Sequence, residues 1–136
     1  LISICSLLNV LLPESQPNKN IYNSFEKLVA SLNIENWIFL YIFFELNLIK
    51  ELGYDTNLSQ NKFENVNIND FNKVKIDSYI YEVPNFLILK KIPDKFSNIL
   101  IKKSLNFTRY VMQNKFFIPN NIIFPKSRVI LENYFN

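Results

Sequence analysis

The stretch Ile34–Gly53, IENWIFLYIFFELNLIKELG, decides how this chain folds. Apolar side chains wrap nearly the whole circumference of its early turns, which predicts a helix over Ile34–Leu52 at the buried centre of a bundle. Trp37 belongs to that core. Lys50 and Glu51 mark the outer end of the helix. Gly53 follows at once, where a left-handed residue closes a helix at least cost. It is the only glycine in the chain.

Working outward, Leu1–Leu12 is apolar at 1, 4, 5, 8, 11 and 12, a helical stripe already under way at the first residue. The polypeptide is therefore expected to be the downstream part of a longer protein. Pro13 ends this helix, because the residue before a proline is pushed out of the α region. Glu14–Asn20 reads as a turn. Asn18 or Asn20 caps a second helix with Ile21, Phe25, Leu28, Val29 and Leu32 on one face, closed by Asn33. Beyond the central helix, Asp55–Asn61 is a polar loop. From Phe63 to Leu89 the period shortens toward two, at Val66/Ile68, Val74/Ile76 and Tyr79/Tyr81/Val83, which predicts short strands or an irregular β-like flap. Pro84 and Pro93 punctuate its exit. Asp94 is expected to cap a helix to about Lys115, with Phe96, Ile99, Leu100, Leu105 or Phe107, Tyr110 and Val111 inward. Phe117–Asn121 is a turn, and Pro125 opens a closing helix through Tyr134 with Val129, Ile130 and Phe135 apolar. The expected fold is mostly α, a bundle of about five helices with a small irregular β-like insert between the third and fourth.

Composition narrows the chemistry. A chain of 136 residues with 49% apolar and 15% aromatic residues fits one domain with a core of its own, and is too hydrophobic for a disordered segment. There is no histidine, which removes the commonest general base and metal ligand. The lone Cys5, set among Ile4, Leu7 and Leu8, is expected to be a buried small apolar residue and not a reactive thiol. No metal site, cofactor or small-molecule substrate is expected. The apolar run Trp37–Phe44 stops at Glu45, far short of the roughly 20 residues a membrane span needs. Leu1–Leu12 lacks the basic flank of a signal peptide, so a cytoplasmic protein is expected. Glu45, on the apolar centre of the chain, needs a donor if buried. The backbone near Gly53–Tyr54 or a hydroxyl such as Ser59 is a candidate. No second acid, base or nucleophile is grouped with it, so the chain does not read as an enzyme. Asn, Lys, Ile and Phe are over-used, as in an AT-rich genome.

Charge is unevenly spread. Residues 1–61 carry 3 basic and 6 acidic groups, whereas residues 62–136 carry 12 basic and 6 acidic groups. A basic second half points toward a polyanionic partner. Lys95, Lys102 and Arg109 recur every seven residues, which predicts a stripe on one helix face, with Lys91 ahead of it and Lys103 beside it. Such a stripe extends roughly 21 Å and would follow a few phosphates of a single strand; the alternative is a solvated helix face. Lys126 and Arg128 add to the basic set. Arg128 is either half of a structural ion pair or a phosphate contact. Tyr79 and Tyr81 share a face of the flap, as base-stacking platforms or as cross-strand packing.

Several pieces fall in one order: Leu7-Leu8 to Leu11-Leu12-Pro13-Glu14, the segment Tyr22–Leu32, and Phe44-Glu45-Leu46-x-Leu48 leading to Leu52-Gly53-Tyr54 and Asn57-Leu58-Ser59. Ser104-Leu105-Asn106-Phe107-Thr108-Arg109-Tyr110 and Pro125-Lys126-Ser127-Arg128-Val129-Ile130-Leu131 follow. In this order the chain resembles the C-terminal helical domain of the RecO family of bacterial recombination mediators, particularly alphaproteobacterial members, over nearly its whole length. The resemblance implies one domain, residues 1–136, with a degenerate zinc-finger-like insert at 61–92, and a family N-terminal oligonucleotide-binding barrel absent from this chain. It implies single-stranded-DNA binding and annealing, and loading of the RecA recombinase together with RecR and single-strand-binding protein, in the cytoplasm at the nucleoid. The nucleic-acid contacts expected from the charge pattern are Lys91, Lys95, Lys102, Lys103, Arg109, Lys126 and Arg128. The alternative is a protein-interaction domain without DNA contact of its own. The family's first zinc cysteine falls at Asn61 here, and the chain holds no CxxC pair, so apolar packing must hold the insert instead. Tyr41, Ile42 and Phe43 stand where some members carry basic residues for an acidic tail.

Overall fold

A computed structural model describes residues 2–11, 19–31, 36–58 and 67–136. The described chain is mostly helical, in the order α1 (Ile2–Leu11), α2 (Lys19–Ala30), α3 (Trp37–Glu51), β1 (Phe71–Ile76), β2 (Tyr79–Pro84), α4 (Asn85–Leu89), α5 (Asn98–Met112) and α6 (Lys126–Asn133). A five-residue π-helical turn, Gln113–Phe117, extends α5. The bundle with its small two-stranded insert between the third and fourth helices is as the sequence predicts. Asn18, Asn33, Ser59 and Val66 lie outside the described residues.

The third helix is the organising element. Within Trp37–Glu51 only Lys50 is exposed, and Phe39, Ile42, Leu48 and Ile49 are wholly buried. Each such side chain contributes about 1.5–3 kcal/mol by leaving water. Helix α2 packs on one side of α3 and α5 on another. Phe86 of α4 meets Phe39 edge-on, with ring centroids 5.4 Å apart. At the C-terminus Tyr54 N–H donates to Ile49 O at 3.2 Å and Gly53 N–H to Lys50 O at 3.0 Å. That pair of bonds is a Schellman closure. Gly53 adopts φ +102°, where a side chain would be strained although space is open around it.

The strands β1 and β2 form an antiparallel hairpin in which Val74 pairs with Tyr81 and Lys73 with Glu82. Val74, Ile76, Tyr81 and Val83 face the core, and β2 packs on α5. The tip is tied down by Asp77, which accepts from Tyr54 Oη at 2.8 Å and from Lys115 Nζ at 2.7 Å. Lys115 also lies over the Tyr54 ring, 4.5 Å from its centroid.

Several expectations are corrected. The segment Asn85–Leu89, expected within the flap, is a helical turn: Phe86, Leu87 and Ile88 are all buried, and a run apolar on every side carries no period to separate strand from helix. Helix α5 is capped by Ser97, whose Oγ accepts from Leu100 N, and not by Asp94. Lys95 therefore precedes the helix. Phe96, Ile99 and Tyr110 are exposed instead of inward, while Ser104 and Thr108 are buried. Cys5 is exposed. In α1 the buried face is Ser3, Ile4 and Leu7, because Ser3 turns inward to bond Tyr41 at 3.0 Å. Asn20 lies within α2, not at its cap, and Val29, Val129 and Ile130 are exposed.

Candidate nucleic-acid interface

A buried ionic hub sets the positions of the helices that carry the surface groups. Glu45 of α3 and Arg128 of α6 are both 0% exposed. Arg128 Nε donates to Glu45 Oε2 at 2.6 Å and Nη2 to Oε1 at 2.9 Å, a bidentate fork. Its Nη2 also reaches Leu105 O at 3.0 Å and Thr108 Oγ1 at 3.1 Å, and Nη1 reaches Glu132 Oε2 at 3.2 Å. Thr108 and Tyr41 complete the shell around Glu45, donating at 2.7 and 2.6 Å. Burial, and then the neighbouring Glu45 charge, hold the Tyr41 phenol well above its ordinary pKa, so it stays a donor. Burial alone would lower the Arg128 pKa; the attraction and hydrogen bonds of Glu45 more than offset this and raise it.

The donors to Glu45 thus come from α3, α5 and α6, and not from the Gly53–Tyr54 backbone. Arg128 is the structural half of the two roles the sequence left open. Its guanidinium is enclosed, and no part of it reaches a surface where a phosphate could lie.

The other expected cations sort into three groups. Lys102 and Arg109 do lie on one side of α5, and both turn toward Glu132 of α6. Lys102 Nζ is 3.3 Å from Glu132 O, 3.4 Å from Asn133 Oδ1 and 3.9 Å from Glu132 Oε1. Arg109 Nε is 2.8 Å from Glu132 Oε2. The stripe is a strap between helices and not a bare cationic rod. Lys103 lies on another face, paired with Glu82 and stacked over Phe71 at 4.1 Å. Lys91, Lys95 and Lys126 are exposed.

Sequence reasoning missed Lys73 and Lys75. They alternate with Asn72 and Val74 on β1 and point outward, opposite Glu82 and Ile80. The period-two pattern that predicted the strand already put both on one face. Beside them a groove of about 250 Å3 runs between β2 and α5. Tyr110 lines it, exposed but with the Arg109 guanidinium over its ring, and Tyr79 is exposed on β2, whereas Tyr81 is buried against Phe107, centroids 5.4 Å apart. Of the two tyrosines expected as platforms, Tyr81 is packing. A second, larger groove of about 540 Å3 lies between α3 and α4, with Leu40, Phe43, Leu46 and Leu87 as walls and Lys50, Lys90 and Asp55 as its charged lining.

Among the described residues no group of three or more His, Cys, Asp or Glu side chains is placed to hold a metal ion. Asn61, where the resemblance puts the family's first zinc cysteine, is outside the described residues. Among the described residues no helix is long and apolar enough to cross a membrane.

The fold is a helical bundle pinned by a buried Arg–Glu pair, with a two-stranded hairpin laid on it. The chain belongs to the family described as recombination protein O C terminal, whose model matches residues 1–82. It is also similar to the DNA repair protein RecO of Ehrlichia chaffeensis, at 29% identity over 139 residues, covering 90% of this chain and 57% of that protein. The chain therefore spans little more than half the length of that relative. No solved structure matches it.

Proposed function

We propose that this chain is the part of a RecO-type DNA repair mediator that holds single-stranded DNA beside its protein partners during annealing and RecA loading. The observation that carries the reading is the surface of the hairpin and α5, where Lys73 and Lys75 are exposed on β1, Tyr79 is exposed at the start of β2, and Tyr110 on α5 is exposed with the Arg109 guanidinium over its ring. Ammonium groups engage successive phosphates and open rings stack bases, the two contacts that sequence-tolerant single-strand binders combine. Lys91, Lys95, Lys103 and Lys126 extend the basic surface, with Lys102 and Arg109 contributing only their outward edges. The hairpin is the counterpart of the family's zinc-binding insert, held here by Val74, Ile76, Tyr81 and Val83. The protein works without catalysis of its own, in the cytoplasm at the nucleoid.

The groove between α3 and α4 favours a second, compatible role. Its apolar walls, and two lysines against the one carboxylate of Asp55, suit an acidic, apolar-ended peptide, and we assign it to the tail of single-strand-binding protein, with RecR docking elsewhere. Fluorescence anisotropy on a labelled 15-nucleotide dT strand tests the DNA reading. Engagement of three or four phosphates makes log affinity fall against log salt with a slope of roughly −2 to −3. Absence of binding at low salt, with partner peptide still bound, leaves the protein-interaction reading in its place.

A further inference from the structure

The groove between β2 and α5 is built differently from the basic surface around it. Its floor is apolar, formed by the buried rings of Tyr81 and Phe107. One wall is Ile80, 69% exposed, and the other is Tyr110, 46% exposed, with the Arg109 guanidinium over its ring 4.7 Å from the centroid. At its rim stand a carboxylate, Glu82, with the ammonium of Lys103 paired to one of its oxygens and itself lining the groove, and a carboxamide, Asn106. The Asn106 Oδ1 accepts from Arg109 Nη2 at 3.4 Å, and its Nδ2 donates to no protein group among the described residues. Glu82 is ionised, its carboxyl held below the usual range by hydrogen bonding from Lys103 and by the charges of Lys103 and Lys73.

Size decides among occupants. A helix with its side chains is about 10–12 Å across, so 250 Å3 would enclose only about 3 Å of its length. The volume also falls short of the ~300 Å3 at which pockets for drug-sized ligands begin. One planar ring system fits. Its partner chemistry is set by the rim: a carboxylate accepts from an exocyclic amine, and a carboxamide N–H donates to a ring nitrogen or carbonyl. Charge outside the groove is positive, since Lys75 pairs with Ile80 and Lys73 with Glu82 across the hairpin, placing ammonium groups where the phosphates flanking an inserted ring would lie.

We infer that this groove receives one unstacked nucleobase of the bound strand, stacked on Tyr110, with Glu82 and Asn106 reading its edge so that cytosine and adenine are preferred to thymine. The inference rests on the single-strand reading above and adds to it a base-sized subsite with a preference. Carboxylate acceptance selects for the amine of cytosine or adenine, and thymine offers a carbonyl at the same place. Tyr110 supplies the stacking surface, and the apolar floor excludes water beneath it.

The test is binding of the chain to 15-nucleotide dC, dA and dT strands, with Tyr110→Ala, Tyr110→Phe and Glu82→Gln variants whose folding is checked by thermal unfolding. Wild type binds dC and dA several-fold more tightly than dT. Tyr110→Ala weakens binding to dC about tenfold, the effect of losing one stacked base. Tyr110→Phe restores it, and Glu82→Gln erases the difference between dC and dT. Irradiation of a strand carrying one 5-iodocytosine attaches it to Tyr110, read by mass spectrometry of the digest. Equal affinity for dC and dT in the wild type, or attachment only at other residues, overturns the subsite while leaving single-strand binding intact. Failure to bind any strand overturns both.

Discussion

Arg128 and Glu45 are paired at zero exposure, and each guanidinium nitrogen has an acceptor. Such a pair is costly to desolvate, so its value lies in what happens when half of it is removed. Arg128→Met strands the Glu45 charge in the core and is expected to lower stability by about 3–5 kcal/mol in urea unfolding. Glu45→Leu combined with Arg128→Met removes both charges and recovers most of that loss, although Glu132 then keeps only Lys102 and Arg109. A double variant as unstable as the single one would show that the hub stabilises by more than mutual neutralisation. The same hub explains which side chains the sequence misplaced. Ser3, Ser104 and Thr108 are buried while Cys5, Ile99 and Tyr110 are exposed. Helices α1 and α5 carry apolar residues on several faces, so hydrophobicity alone leaves their rotation open. Thr108 turns inward to serve Glu45, and Ser3 to serve Tyr41. Nothing local in the sequence announces partners 63 and 38 residues away.

At the scale of elements, the hairpin depends on the clamp at its tip. Asp77 sits at φ 55°, and its carboxyl is held below the ordinary range first by the hydrogen bond from Lys115 and then by that from Tyr54. A depressed folded-state pKa means that the stabilisation is present above the unfolded value of 3.8 and is lost as pH falls through the folded value below it. Asp77→Asn tolerates the left-handed backbone but gives up the charge. Amide exchange in β1 and β2 is thus expected to be faster in the variant than in wild type at pH 6, with the gap closing on acidification below 3.8. A gap that persists at acid pH would assign the clamp's effect to geometry and not to charge. The central helix was legible because its apolar circumference and terminal glycine agree, and the strands because their period is plain. The short α4 was not, since the chain there is apolar in every direction. The start of α5 was read three residues early because Asp94 is as good a cap by type as Ser97; the choice falls to Ser97 because its Oγ meets Leu100 N.

Across the whole molecule, the basic second half of the chain supplies the hairpin, α5 and α6. The last helix returns to the first, with Ser127 Oγ 3.0 Å from Ser6 Oγ, and α5 stands between α6 and the hairpin. Of the cations the sequence singled out, Lys102 and Arg109 are drawn inward along α5 by Glu132, while Lys73 and Lys75, which it passed over, project from the hairpin. Residue spacing shows which cations share a helix face but not what stands opposite that face, and here an acidic neighbour does. The two sets separate experimentally. Lys73→Gln with Lys75→Gln removes two phosphate contacts and is expected to reduce the slope of log affinity against log salt by about 1.4, at roughly 0.7 per phosphate on a single strand. Their removal leaves the unfolding midpoint almost unchanged, because both side chains are exposed. Lys102→Gln with Arg109→Gln leaves Glu132 short of cations, so it lowers the unfolding midpoint and moves the salt slope less. The reverse pattern, a slope that follows Lys102 and Arg109 while ignoring the hairpin, would move the strand's path from β1 to the seam between α5 and α6.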